Sequence, residues 1–146
     1  FQKDLQIGEV VCVVQDIQAD FGAEDNMEFL PASEIGLSTQ DEYEFQNNTP
    51  IGNPVLDKLK KTKGVTVNMV HGNETSIKRI KEQLSPDVES MEGAAFFYAV
   101  LREKICCMQI RSISNYVEKR DKSKWNTDLA IENLNKVVLK AVAALK

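Results

Sequence analysis

Apolar residues arrive in short blocks separated by polar passages, and the spacing inside each block predicts its element. Val10-Val11-Cys12-Val13-Val14, entered through Ile7-Gly8, is an unbroken, mostly β-branched run, the pattern of a strand covered on both faces. A polar passage from Gln15 to about Gly52 follows, with Gly22, Pro31, Gly36, Pro50 and Gly52 scattered through it. It reads as a long functional loop, with one short strand at Tyr43-Glu44-Phe45. Asn53-Pro54 then predicts a helix start, because Asn can accept from an unpaired amide and Pro suits the first turn. Val55, Leu56 and Leu59 give that helix its apolar face, Lys58, Lys60, Lys61 and Lys63 a solvated one, and Gly64 its expected stop.

A second strand, Val65 to Val70, leads into the strand-end loop His71-Gly72-Asn73. Ile77, Ile80 and Leu84 at spacings of three and four predict a short amphipathic helix, broken by Ser85-Pro86. Asp87-Val88-Glu89 is a brief strand, and Met91 to about Arg102 a helix apolar nearly all round, which implies burial on several sides or against a partner subunit. A strand from Ile105 to Ile110, a polar loop holding Trp125, and a helix from about Thr127 to Leu145 complete the chain. The last helix places Leu134, Val137, Val138, Ala141, Val142 and Leu145 on one face, with Asp128 and Glu132 near its start and Lys140 and Lys146 near its end, as the dipole favours. Strand and helix in alternation mean an α/β fold with a largely parallel sheet.

The 146 residues suit one domain, spanning 1–146, that buries about 70% of its unfolded surface. A formal net charge of −4 argues against non-specific nucleic-acid binding, which needs a concentrated basic surface. No apolar run is long enough for a membrane span. The three cysteines, Cys12, Cys106 and Cys107, all lie in apolar runs, so they read as small hydrophobes in a reducing, cytoplasmic setting, without disulfides or zinc.

Chemistry concentrates in two stretches at strand ends, where α/β proteins present functional side chains. They are Glu89-Ser90-Met91-Glu92-Gly93-Ala94-Ala95 and Arg111-Ser112-Ile113-Ser114-Asn115. Each residue also has an ordinary explanation. Acids gather at helix starts because of the exposed amides there. Asn after a strand commonly makes a local turn bond. Arg111 can be a structural fork for a carboxylate, and His71, the single histidine, reads as structural at its strand end. Against that, a carboxylate ending a buried strand needs partners, and a hydroxyl-rich ligand would supply them.

Together, the two stretches resemble the purine nucleoside phosphorylase and nucleosidase superfamily. There an acidic-Met-Glu-small-Ala helix start is followed by a strand ending in Arg-x-Ile-Ser and then Asp or Asn. The resemblance runs from roughly Gln6 onward and is strongest over 88–117, and within the superfamily Val88 to Tyr98 with Ile110 to Glu118 is most similar to the futalosine hydrolase branch. It implies a three-layer α/β/α sandwich with a mostly parallel, mixed central sheet, whose N-terminal strands would precede Phe1, so that the chain is read as N-terminally truncated. It also implies hydrolysis of the N-ribosyl bond of a 6-oxopurine nucleoside with release of hypoxanthine, as in menaquinone synthesis. A phosphorylase, an adenine-specific nucleosidase and a non-catalytic nucleoside-binding protein remain as alternatives. No metal or organic cofactor is implied, and the partners are a small purine nucleoside and further copies of the chain.

Residue by residue, the resemblance puts Glu92 on the ribose hydroxyls, Met91 against the sugar and Glu89 near the hydroxyls or the attacking water. Arg111, Ser114 and Asn73 are further substrate contacts. Asn115 stands where adenine-cleaving relatives carry Asp. An amide can donate to the O6 of a 6-oxopurine while its oxygen accepts from a protonated N7, so Asn115 implies hypoxanthine or guanine over adenine.

Overall fold

A computed structural model describes Phe1 and residues 4–26, 28–47 and 52–145. Its centre is strand β1, Val10–Gln18, which the apolar run predicts correctly and which continues four residues beyond Val14. Val11, Cys12, Val13, Asp16 and Ile17 are all buried, so both faces are covered. The rest of the passage expected to be loop is largely structured. It holds a hairpin of β2 (Gly22–Asp25) and β3 (Glu28–Pro31), a 3-10 turn at Gln40–Glu42, and β4 (Glu44–Gln46) at the short strand that was expected. Pro50, within the same passage, lies outside the described residues.

The helix expected from Asn53 to Gly64 does not form. Asn53 does cap: its Oδ1 accepts from the amides of Val55 at 3.0 Å and Leu56 at 3.2 Å. Only a 3-10 turn at Leu56–Lys58 follows, and Lys60–Thr66 is strand β5. That stretch pairs in parallel with β1 over its whole length, and the Thr62 hydroxyl donates to the Cys12 carbonyl at 3.2 Å. Ladder bonds to a buried partner outweigh local helix preference here. The strand expected at Val65–Val70 therefore starts earlier and ends at Thr66, leaving Met69 81% exposed.

Helix α1, Glu74–Leu84, matches expectation: Asn73 caps it by accepting from the Ser76 amide at 2.9 Å, and left-handed Ser85 ends it. Strand β6 (Val88–Ser90) leads into α2 (Gly93–Arg102), which buries Gly93, Ala94 and Phe97. Burial on several sides is not realised within this chain, since Phe96 and Tyr98 face outward. Strand β7 is Gln109–Ser112 rather than Ile105–Ile110, because Lys104 turns left-handed at the end of α2 and the following residues only return the chain to the sheet. Consequently Cys106 is exposed and Cys107 half-buried; only Cys12 is a core cysteine. Helix α3, Thr127–Ala143, buries Ala130 and Ala141 and half-buries Leu134 and Val137, while Val138, Val142 and Leu145 of the expected face are exposed.

The sheet is mixed, in the order β4-β1-β5-β6, with β7 also on β1. β5 runs parallel to β1 and β6 parallel to β5, whereas β4 and β7 are antiparallel to β1 at Gln15–Ile17 and Val10–Val13 respectively. The main core joins Val11, Val13, Phe45 and Val88 to Ala94 and Phe97 of α2, and α3 packs on β7 and β1.

Asp16, 1% exposed, ties these layers together. The Thr66 hydroxyl of β5 donates to its Oδ1 at 2.8 Å and accepts from the Ala94 amide of α2 at 2.7 Å. Gln109 of β7 donates to the Gly93 carbonyl at 3.2 Å and accepts from Arg111 Nε at 3.0 Å. Burial pushes the Asp16 carboxyl up to about 6; the Thr66 hydroxyl, the Arg111 charge and the Gln109 amide hold it from rising further. There is no room to spare, because a Cβ on Gly93 would lie 2.0 Å from Asp16 Oδ2 and 2.7 Å from Gln109 Oε1.

Two expectations follow. Gly93→Ala should lower stability in urea denaturation by about 2 kcal/mol through overpacking, although alanine is the better helix former. For Asp16 the folded carboxyl holds its proton to higher pH than the unfolded one, so its contribution makes stability fall as pH rises from about 4 to about 6. Asp16→Asn should remove that fall, of order 3 kcal/mol at its limit. The check is the difference between the wild-type and variant unfolding free energies at pH 4, 5, 6 and 7.

Candidate functional site

The parallel strands β5 and β6 end together level with the end of β1, whereas antiparallel β7 ends beside Val10, and Ile113 after it bonds Gly8 and Glu9. A cavity of about 320 Å³ is lined among others by His71, Glu89, Ser90, Arg111, Ser114 and Asn115. Both expected stretches therefore reach one cavity, although not every expected residue lines it.

Asn115 sits at its wall in a local network: Ser114 Oγ donates to Asn115 Oδ1 at 2.8 Å, and Asn115 Nδ2 donates to the Tyr116 carbonyl at 3.0 Å. The local turn bond expected of such an Asn is thus present. It uses one of the amide's two donors and one of its two acceptor positions, which leaves one of each for a ligand. Ser112 Oγ, buried near the same wall, has no hydrogen-bond partner among the described residues.

Glu92 occupies the N-cap position of α2 but makes no side-chain capping bond, so helix capping does not explain it. Its carboxylate is 72% exposed and lies 3.5 Å from Arg111 Nη1. Arg111, held from behind by Gln109, thus connects Glu92 to the buried Asp16 system. Met91 is 51% exposed beside Glu92 and, like Glu92, stands outside the cavity lining. Asn73 is engaged in capping α1 and lines a neighbouring depression with Val67, Met69 and Ile80.

Glu89 has a partner that sequence reasoning did not foresee. Its side chain is 6% exposed, its Oε1 accepts from the His71 amide at 3.1 Å, and its Oε2 meets His71 Nδ1. Buried carboxylate and imidazole form a dyad at the cavity wall, with the Phe1 ring edge-on to the imidazole at 6.3 Å. Asp16 and Gln109 were missed as well. The available signal was their place in strands whose neighbours are apolar: Asp16 lies two residues past the valine run and Gln109 two before Arg111. Near the exposed side of the cavity, Arg120 stacks over Trp125 at 5.3 Å.

The described residues contain no group of three or more His, Cys, Asp or Glu able to hold a metal ion. No described helix is long and apolar enough to cross a membrane.

Comparison with known proteins places this geometry. The futalosine hydrolase of Thermus thermophilus is 28% identical over 143 residues, a match covering 94% of this chain and 62% of that protein. Among solved structures, futalosine hydrolase of Helicobacter pylori superposes with a TM-score of 0.74 at 17% identity, covering 99% of this chain and 64% of the other. The 5′-methylthioadenosine/S-adenosylhomocysteine nucleosidase of Colwellia psychrerythraea, solved with adenine, gives 0.71 at 18% identity, covering 100% and 63%. The chain thus spans less than two-thirds of the length of these relatives. At such identities the structural matches establish the nucleoside phosphorylase-like fold, with its mixed central sheet between helices. The sequence model of the Phosphorylase superfamily matches residues 1–143, nearly the whole chain, and the chain belongs to that superfamily.

Proposed function

We propose that this chain carries the base and ribose half of a nucleosidase that hydrolyses the N-ribosyl bond of a 6-oxopurine nucleoside, futalosine being the first candidate from the relatives' names. The observation that carries the reading is Asn115, an amide with one donor and one acceptor still free, on a cavity reached by both strand-end stretches. A carboxylate at that position would repel O6, whereas an amide can donate to it. In this reading Glu92, neither capping its helix nor buried, accepts from the ribose hydroxyls, and Met91 covers the sugar. Arg111 holds the Glu92 carboxylate, Ser114 fixes the Asn115 amide, and Asn73 stands at the neighbouring edge. The sugar develops positive charge as the bond breaks, which suits nearby carboxylates.

Further copies of the chain are the proposed partners, with exposed Phe96 and Tyr98 on α2 as the surface they would cover. The three free cysteines accord with a cytoplasmic setting.

The deciding assay is release of free base from inosine, futalosine and adenosine by the protein, with and without inorganic phosphate. Phosphate-independent release of hypoxanthine is expected; release only with phosphate would make the protein a phosphorylase. Asn115→Asp should move the ratio of kcat/KM for adenosine over inosine upward by tenfold or more, and an unchanged ratio would remove Asn115 from base selection. Glu92→Gln should lower kcat/KM by ~30-fold, the loss of about 2 kcal/mol expected for a charge-assisted hydrogen bond.

A further inference from the structure

Departure of a purine from its sugar breaks the C1′–N9 bond with both electrons going to the base, and the base must then gain a proton. Asn115 can hydrogen-bond a purine edge but has no proton to give. The charged groups lining the cavity are Asp87 and Glu89 around β6, Arg111 on β7, Glu118, Lys119 and Arg120 beyond it, and the Phe1 ammonium. The ammonium is engaged in donating to the Asp87 carbonyl at 3.0 Å, as the Tyr116 hydroxyl is in donating to the Leu5 carbonyl at 2.9 Å. Arg stays protonated throughout and cannot serve, while Glu118, Lys119 and Arg120 are exposed at the rim. Asp87 is committed elsewhere, accepting from the Lys63 amide at 2.7 Å.

That leaves the imidazole of His71. Its Nδ1 is turned onto the buried carboxylate of Glu89, the backbone amide of His71 binds the same carboxylate, and its side chain is 13% exposed. Nε2 makes no hydrogen bond to the described residues, and the residue lines the same wall system as Asn115. A carboxylate on one ring nitrogen fixes the ring's orientation and leaves the other nitrogen to act.

Resting on the nucleosidase reading above, we infer that His71 is the acid that protonates the leaving purine, and that Glu89 is the positioning residue that holds its imidazole. In the step, Nε2–H gives its proton to a ring nitrogen of the base as C1′–N9 breaks. Water then adds to C1′, and the proton it sheds restores His71 through solvent. The sum is nucleoside plus water giving free base plus free sugar. Glu89 is thereby assigned to the imidazole rather than to the ribose.

The test compares His71→Gln and Glu89→Gln with wild type for base release across pH 5 to 9, with thermal unfolding of each variant as the check on folding. Proton transfer by a positioned side chain contributes about 10²- to 10⁴-fold. His71→Gln should therefore lose at least about 10² in kcat with little change in KM, together with the limb of the pH profile that falls as pH rises. Glu89→Gln should lose about tenfold in kcat and keep that limb. Retention of kcat within threefold by His71→Gln, or an unchanged profile, would overturn the inference.

A second readout needs no turnover. Hypoxanthine titrated into 15N-histidine-labelled protein should shift the His71 Nε2 signal, assigned by its absence from His71→Gln. Binding of hypoxanthine without that shift would also overturn the inference. Should wild type release no base from any nucleoside, the nucleosidase reading falls by itself, and the titration still decides whether His71 touches a purine.

Discussion

A carboxylate without a cation against it is expensive to bury, and the architecture around Asp16 is the arrangement that makes it tolerable. Thr66 and Gln109 supply its hydrogen bonds, and each is tied in turn to the start of α2, Thr66 through the Ala94 amide and Gln109 through the Gly93 carbonyl. Glycines at 64 and 93 provide the space that any Cβ would fill. One acid thereby fixes β1, β5, β7 and α2 relative to one another. A buried polar system satisfied this fully specifies a single arrangement, whereas an apolar filling would tolerate several.

The same system reaches outward. Gln109 has one amide, and with its nitrogen on the Gly93 carbonyl its oxygen must face Arg111. The arginine is thus aimed from within the core toward Glu92. A surface ion pair at 3.5 Å contributes little by itself, but here one partner is set by buried neighbours. Glu89 and His71 repeat the theme at the cavity wall, since the carboxylate emerges from a buried strand and orients a group that faces the cavity. At the cavity, Arg111 is held by Gln109 and His71 by Glu89.

Much of this could be read from the sequence where local chemistry and tertiary context agree. The valine run of β1, the end of α1 at Ser85 and the junction of β6 with α2 all satisfy local rules, and the structure keeps them. The segment 53–64 fails for a physical reason. Asn53 caps a turn as expected, but Lys60–Thr66 becomes a strand because β1, some fifty residues earlier, offers it a ladder. Nothing local in Lys-Lys-Thr-Lys-Gly announces that. Asp16 and Gln109 escaped notice because polar residues mark loops on average, and only the packed sheet shows that both point inward. The motif around Asn115 and Glu92 was legible as chemistry, whereas the Glu89–His71 contact, eighteen residues apart in sequence, required the folded strands to bring it together.

The pairing of β1 with β7 carries a consequence for how the molecule comes into being. Val10 lies opposite Ser112, about 100 residues later in the chain, and β5 on the other side is about 50 residues away. Closing such long loops costs entropy before any contact returns it, which slows folding. During synthesis the valine-rich strand emerges before β4, β5 and β7 and must wait for all three. Through that interval it is an apolar edge open to other chains, so the step most exposed to aggregation is set by the order in which the ribosome delivers the sheet.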